Sequence, residues 1–368
     1  MFKKIKIALG ILTRTVLTGP LEAAVDISNS CGLGCITCWF YSPLRKDKPP
    51  ADWARRQMSF DLFRRIADEL KALEVRKIML GGDGDPFTHP RIIDMLEYSR
   101  QAGLEVDTAT CGIFFDDASL RRLFEAGIDR LSISILAATP RDYAAMHPGR
   151  GEDLFEKIKR SLALLAKWKR EENKQKPYIT LVDVISRLNC SGADRMIDFA
   201  AETGANEVAF KRMSAMPFTR DLLLDDAQAR ELGLKLQAAA AKAKAAGVAE
   251  NIESFLEGTL PGLASGDYTS DVYAKIPCYI GWIYTRILCD GSVVPCCGCY
   301  DYRLGNAAER PLREIWHSKE YAEFRAKSIN IRNDRSIAGR CACHSCVHAG
   351  MNMGIYRSLH FMKRNPDG

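Results

Sequence analysis

The sequence has no apolar run long enough to span a bilayer, no internal repeat and no long low-complexity tract. Those absences exclude an integral membrane span and a repeat architecture. No Lys/Arg run is interleaved with aromatic residues, and the formal net charge over 368 residues is only +6. This argues against nucleic acid as a partner and suits, at most, an anionic substrate. The opening residues MFKKIKIALGILTRTVL imitate a secretion signal, but Arg14 interrupts the apolar stretch and no small-residue cleavage site follows it. They are expected to form an amphipathic helix capping the main domain, with a membrane-surface anchor as the other reading. The location expected is cytoplasmic.

Cysteine is present, and unevenly. Of thirteen, three lie between positions 31 and 38, eight between 278 and 346, and Cys111 and Cys190 stand alone. A secreted disulfide scaffold is smaller and scatters its cysteines through loops. Tight CxxxCxxC and CxxC spacings without a secretion signal point instead to metal in a reducing compartment.

Between these groups the chain alternates short β-rich runs with helical periodicity. The runs are Ala23–Ile27, Lys77–Leu80, Glu105–Thr110, Arg130–Ile135, Tyr178–Ile185 and Glu207–Phe210. Ser59 suits an N-cap, Gly103 and Gly127 suit helix C-termini, and Pro90 suits a helical first turn. Six strand–helix units imply an α/β fold with a parallel sheet, and they are too few for a closed eight-stranded barrel. The expectation is a partial (β/α)6 TIM-like barrel with its active residues at the C-terminal strand ends. The organisation expected is an N-terminal extension over 1–20, the barrel over 21–256 and a cysteine-rich domain over 257–368. Gly and Pro thicken in a linker at Glu257–Gly266.

The segment DISNSCGLGCITC puts Cys31, Cys35 and Cys38 just after the first strand. Three thiolates on one short loop leave one iron of a four-iron cluster open, where metal chemistry can occur. A zinc knuckle would need a fourth Cys or His nearby, and none is close in sequence. Here the chain resembles the radical S-adenosylmethionine (SAM) superfamily, whose signature is this loop. The resemblance implies that the open iron binds SAM and that one electron, from a reductant such as flavodoxin or ferredoxin, yields a 5′-deoxyadenosyl radical. That radical abstracts hydrogen from a substrate.

The turn GGDGDP at residues 81–86 is similar to the family's Gly-Gly-Glu-Pro turn, with Asp85 in place of Glu. This implies SAM contacts at Gly82, Asp83, Gly84 and Asp85. The strand-four segment LSISILAATP is similar to the stretch whose serine touches SAM. It implicates Ser134 and, on the same face, Ser132, with small barrel-lining residues as the alternative. Two departures stand out: Thr37 precedes the third cysteine where an aromatic is common, and His147 replaces an arginine.

The later cysteines, in CDGSVVPCCGC and CACHSC, flank an Asp290-Gly291 hairpin signal and a helical pattern after Pro311. The layout resembles the SPASM/twitch extension of radical SAM enzymes. By that resemblance Cys278, Cys296, Cys343 and Cys346 hold one auxiliary [4Fe–4S] cluster. Cys289, Cys297, Cys299 and Cys341 are then left over, for a second cluster or as free thiols, and a zinc ribbon is the alternative for the whole module. His317, His344 and His348 read as surface or supporting residues.

Cys111, in ATCG at the end of strand three, is the candidate catalytic thiol for hydrogen return, a small buried cysteine being the alternative. Cys190 is a weaker candidate. Asp26, Asp107 and Asp183 alternate with apolar residues and are expected to face the barrel interior as proton acceptors. The function expected is oxidation or epimerisation of a polar small molecule. The alternatives are modification of a ribosomal peptide and, remotely, a non-catalytic metal scaffold.

Overall fold

A computed structural model of the chain describes residues 2–259, 262–263 and 265–360. Residues 260, 261 and 264 of the expected linker, and the last eight residues of the expected C-terminal domain, lie outside the described residues.

Six strands form where the alternating pattern predicts them: β1 Glu22–Asp26, β2 Lys77–Gly81, β3 Glu105–Thr110, β4 Arg130–Ser134, β5 Tyr178–Ile185 and β6 Glu207–Arg212. Each pairs in parallel with the next, because the intervening helices carry the chain back across one face. Short β7 (Ala249–Glu250) adds to β6. The cysteine-rich region contributes β8 (Tyr284–Ile287), β9 (Ser292–Val294) and β10 (Gly305–Asn306). The sheet order is β10-β9-β8-β1-β2-β3-β4-β5-β6-β7, an open partial barrel. β8 pairs in parallel with β1, placing Arg286 beside Ala24. The cysteine-rich region therefore shares the barrel's sheet.

Residues paired in register share a face of a sheet. Ala24, Met79, Asp107, Arg130 and Tyr178 are linked in this way, and two residues further on Asp26, Gly81, Ala109, Ser132 and Thr180 continue the inner face. The alternate residues, among them Val25, Leu80, Val106, Ile133, Leu181 and Phe210, are buried under the helices in one core. Asp26 and Asp107 thus face the interior as expected. Asp183 does not. Ile179, Leu181 and Ile185 must lie against the helices, and strand parity puts Asp183 with them, where Asn189 donates to it at 2.8 Å. Burial pushes its carboxyl up to about 7.

Local signals account for most of the boundaries. Ser59 accepts from the Leu62 amide at the start of the helix Phe60–Ala72, and Gly127 closes the helix Asp117–Ala126 with φ 62°. Pro90 lies outside the helix it was expected to begin. The Arg91 amide donates to His89 Nδ1 at 3.0 Å, and the helix starts at Ile92. The first helix, α1 (Phe2–Thr13), buries Ile7, Gly10 and Ile11 and packs against Ile280–Ile283 of the cysteine-rich region. Trp282 fixes it by donating to the Thr15 carbonyl at 2.8 Å.

Candidate active site

The loop after β1 carries Cys31, Cys35 and Cys38, all free thiols at half-buried positions. Its path is set by the turn after β2. A Cβ on Gly82 would come within 2.3 Å of the Ser28 carbonyl oxygen, and one on Gly84 within 2.1 Å of that of Ser30. The glycines are therefore required by the approach of the cysteine loop itself. The Gly84 amide donates to Ser28 O (3.2 Å) and the Asp85 amide to Ser30 O (2.7 Å). From the far side, the Ile36 amide donates to Met146 O at 2.9 Å, and Arg150 donates to Gly32 O.

The thiols sit in a setting that suits an iron–sulfur cluster. The Leu33 amide donates to Cys31 Sγ (3.5 Å), and the Phe40 and Tyr41 amides donate to Cys38 Sγ (3.4 and 3.3 Å). Such N–H···S bonds stabilise thiolates and tune a cluster. Burial, with Asp85 and Cys38 nearby, pushes the Cys31 thiol up to about 11. Burial and then its two sister cysteines raise that of Cys35. Buried thiols that repel one another's charge are the donors that a cationic cluster would deprotonate. Among the described residues, no three or more His, Cys, Asp or Glu side chains are gathered around the place of a single metal ion. Each thiolate of a four-iron cluster binds its own iron, so the shared neighbourhood is the relevant observation.

Next to the loop, the expected SAM residues divide by role. Asp85 is braced internally: its carboxylate accepts from the Phe87 amide (2.9 Å), the Thr110 hydroxyl (2.8 Å) and the Cys111 amide (2.6 Å). Asp83 turns towards β8 and meets Arg286 at 2.6 Å. Ser132 and Ser134 stand on the inner face, and neither hydroxyl bonds to another described residue. Gly81, the first residue of the turn, has nothing within 4 Å of an added Cβ. Two polar atoms are buried without a partner nearby, Tyr143 OH and His147 Nε2. Tyr143 is close enough to Cys111 and Cys35 for their charges to be felt. Open space at Gly81 and the unpaired Ser132 and Ser134 hydroxyls are what a cradle for a polar cofactor shows, whereas Tyr143 and His147 pack together in the core, Tyr143 against Phe155. His147, in the place of the usual arginine, is fully buried and lowered to about 4 by burial, so it stays neutral.

Cys111 lies at the β3 end, 7% exposed. Burial first, and then Asp85, raises its thiol well above the ordinary value, keeping it protonated. Cys190 belongs to the core under the helices and donates to Arg187 O.

The barrel mouth holds a group that the sequence did not announce. Arg286 donates to both oxygens of Asp26 (3.0 and 2.7 Å) and to Asp83 Oδ1, and its side chain is 10% exposed. Burial pushes the Asp26 carboxyl up to about 6 despite Arg286, with Asp83 adding to the shift, since one guanidinium serves two carboxylates. Asp83 Oδ2 is buried and unpartnered. Cys289 is raised by burial and then by Asp26 and Asp83, which places it in the same mouth. Trp53 donates to Tyr300 OH at 3.0 Å and stacks on Phe40 at 4.8 Å, forming an aromatic rim from both parts of the chain. The pairing of β8 with β1 brings these residues together, and strand order is not readable from a sequence pattern.

The second set of thiols shares one neighbourhood. Cys278 is raised by burial and by Cys346 and Cys343, and Cys296 by burial and by Cys346 and Cys278. Cys343 is pushed up to about 12 by burial and Cys346. Tyr273 OH lies 3.0 Å from Cys346 Sγ, and the Cys346 amide donates to Thr269. His348 Nε2 is buried without a partner at this end, whereas His344 and His317 are exposed. The four left-over cysteines separate: Cys299 and Cys341 form a disulfide, Cys297 lies 3.3 Å from Tyr284 OH, and Cys289 is in the mouth.

Family comparison agrees with this geometry. Residues 25–171 match the radical SAM superfamily and residues 278–347 match the SPASM iron–sulfur cluster-binding domain. The chain carries a radical SAM domain followed by a SPASM domain. It is a radical SAM enzyme with a SPASM-type module. Its cofactors are a [4Fe–4S] cluster with a position open for SAM, an auxiliary [4Fe–4S] cluster, and SAM itself. It is 28% identical over 351 residues to a PqqA peptide cyclase of Ruegeria pomeroyi, covering 91% of this chain and 82% of that one. It is 24% identical over 330 residues to the tungsten-containing aldehyde ferredoxin oxidoreductase cofactor-modifying protein of Pyrococcus furiosus, covering 82% of each. Its fold is similar to that of Streptococcus suis SuiB bound to SAM, with TM-score 0.65 at 18% identity, covering 92% of this chain and 74% of that one. No helix among the described residues is long and apolar enough to cross a membrane.

Proposed function

We propose that this radical SAM enzyme modifies a peptide, forming a bond within it after hydrogen abstraction. The observation that carries the reading is the similarity to PqqA peptide cyclase along 91% of the chain. SuiB, which shares the fold, has been solved bound to its precursor peptide SuiA. Together these favour a peptide over the small polar molecule that the sequence alone suggested.

Cys31, Cys35 and Cys38 would hold the SAM cluster, and Cys278, Cys296, Cys343 and Cys346 the auxiliary one. When bound, the first cluster and SAM supply a hydrogen-abstracting radical, and the auxiliary cluster supplies an acceptor for one electron. The protein's own contribution is position and protons. Gly81, Gly82, Gly84 and the Ser132 and Ser134 hydroxyls line the SAM cradle, with Asp85 bracing the turn. Phe40, Trp53 and Tyr300 offer apolar surface to a peptide side chain at the rim. The free oxygen of Asp83 can accept the proton that a radical substrate sheds when it gives up an electron.

Anaerobic incubation of the reconstituted, reduced protein with SAM and the short peptides encoded beside its gene tests the reading. Loss of two hydrogens from one peptide, alongside 5′-deoxyadenosine, is expected. Conversion of polyols or aminocyclitols with every peptide unchanged would overturn it.

A second reading rests on Cys111, whose buried thiol stays protonated near Asp85 and Cys31. If the product is an epimer, Cys111 gives its hydrogen atom to the substrate carbon. The thiyl radical left behind is restored by one electron and one proton from the flavodoxin- or ferredoxin-type reductant. Cys111→Ala should then abolish deuterium uptake from D2O into product, and unchanged uptake would exclude this role.

A further inference from the structure

The chain has four cations and no acidic residue before Glu22: Lys3, Lys4, Lys6 and Arg14. In the same stretch α1 turns four large apolar side chains outward, with Phe2 78%, Ile5 56%, Leu9 49% and Leu12 66% exposed. At 100° per residue these four fall on one stripe opposite the buried Ile7 and Ile11. Five of the nine exposed large apolar residues of the described chain lie in its first seventeen positions, Leu17 being the fifth. The stripe is not the frayed edge of a loose helix. The buried face of α1 is held by Trp282, Lys3 donates to the Leu73 carbonyl at 3.2 Å, and the outer face is presented on a fixed body.

Charge flanks the stripe on both sides. Lys4 is exposed and makes no ion pair among the described residues, and Lys6 has only Glu74, at 3.9 Å. A cleft of about 550 Å3 opens beside Leu12, floored by Pro277, Tyr279 and Ile329, with Arg14 and Arg332 at its edge. Neither arginine has a carboxylate partner among the described residues. An apolar stripe bordered by cations, of which Lys4, Arg14 and Arg332 have no carboxylate partner among the described residues, matches a surface that is apolar inside and anionic outside.

We propose that α1 docks the enzyme on an anionic lipid surface, its stripe entering the acyl boundary and Lys4, Lys6, Arg14 and Arg332 meeting phosphate headgroups. The helix lies against the Leu73–Glu74 turn that leads into β2, at the N-terminal ends of the strands. Docking there leaves the mouth, with its cluster loop at the C-terminal ends, facing away from the lipid and open to its substrate.

The test is sedimentation of the reconstituted holoenzyme with vesicles of phosphatidylcholine alone and of phosphatidylcholine with phosphatidylglycerol. Binding is expected to the anionic vesicles and to fall steeply with salt. Leu9→Ser/Leu12→Ser and Lys4→Glu/Arg14→Glu should each weaken it by about tenfold or more, with iron content and SAM cleavage unchanged. No binding to the anionic vesicles, or equal binding by both variants, would overturn the proposal. So would absence of vesicle binding together with a dimer in light scattering that Leu9→Ser/Leu12→Ser dissolves, since the stripe would then belong to a second copy.

Discussion

Arg286 is the single residue on which most of the mouth depends. It pairs with both Asp26 on β1 and Asp83 on the β2 turn from a strand more than two hundred residues away in sequence. Removing a buried charge while leaving two carboxylates behind is expensive, whereas exposed pairs such as Arg91–Asp94 contribute little. Arg286→Met should cost about 3–5 kcal/mol, read as a lower midpoint in chemical denaturation. Asp83→Asn should cost less and reveal itself in turnover, slowing peptide product while 5′-deoxyadenosine still forms. The buried histidines set a pH dependence. His147 and His348 are both lowered to about 4 by burial, below their unfolded value. At these two sites the unfolded chain therefore binds more protons between roughly pH 6.5 and 4, and their contribution to stability is lost as pH falls through that window. Asp183 and Asp26, raised to about 7 and about 6, act in the opposite direction, so the histidine is isolated by comparison: stability measured at pH 7.5 and 5.5 should show His147→Gln spared a loss of about 1 kcal/mol that the parent protein carries.

Elements explain what the sequence could and could not disclose. The six barrel strands were legible because apolar alternation and helix caps are local signals, and Ser59 and Gly127 do what their residue types promise. The cysteine loop was legible for the same reason, since three thiols within eight positions are close in any fold. The Arg286–Asp26–Asp83 group was not, because it depends on β8 lying beside β1, and no residue in either strand encodes its neighbour. Asp183 was misplaced because alternation gives two faces without saying which is inside; its neighbours Leu181 and Ile185 decide that through the core. The β2 turn and the cysteine loop behave as one unit. Gly84→Ala would drive a Cβ into Ser30 and displace the loop. Iron should fall from about eight to about four per chain, with the auxiliary cluster retained. In the other module, Gly291 turns the hairpin at φ 82°, and an added Cβ would meet Asn306 Oδ1 at 2.5 Å. Gly291→Ala should cost about 1–2 kcal/mol and reduce loading of the auxiliary cluster instead.

Across the whole molecule, one sheet carries both thiol sets: β1 leads into the first, and the β8–β9 hairpin leads into the second. The polar mouth is shared by both halves, Asp26 and Asp83 from one meeting Arg286 and Cys289 from the other. That division of labour makes separable predictions for the two cysteine sets. The direct measurement is 5′-deoxyadenosine and peptide product formed anaerobically by the reduced, reconstituted protein and by its Cys35→Ala and Cys278→Ala variants. The account predicts both products from the parent protein, neither from Cys35→Ala, and 5′-deoxyadenosine without peptide product from Cys278→Ala. Undiminished SAM cleavage by Cys35→Ala, or none from the parent protein with any peptide or polyol, would contradict it.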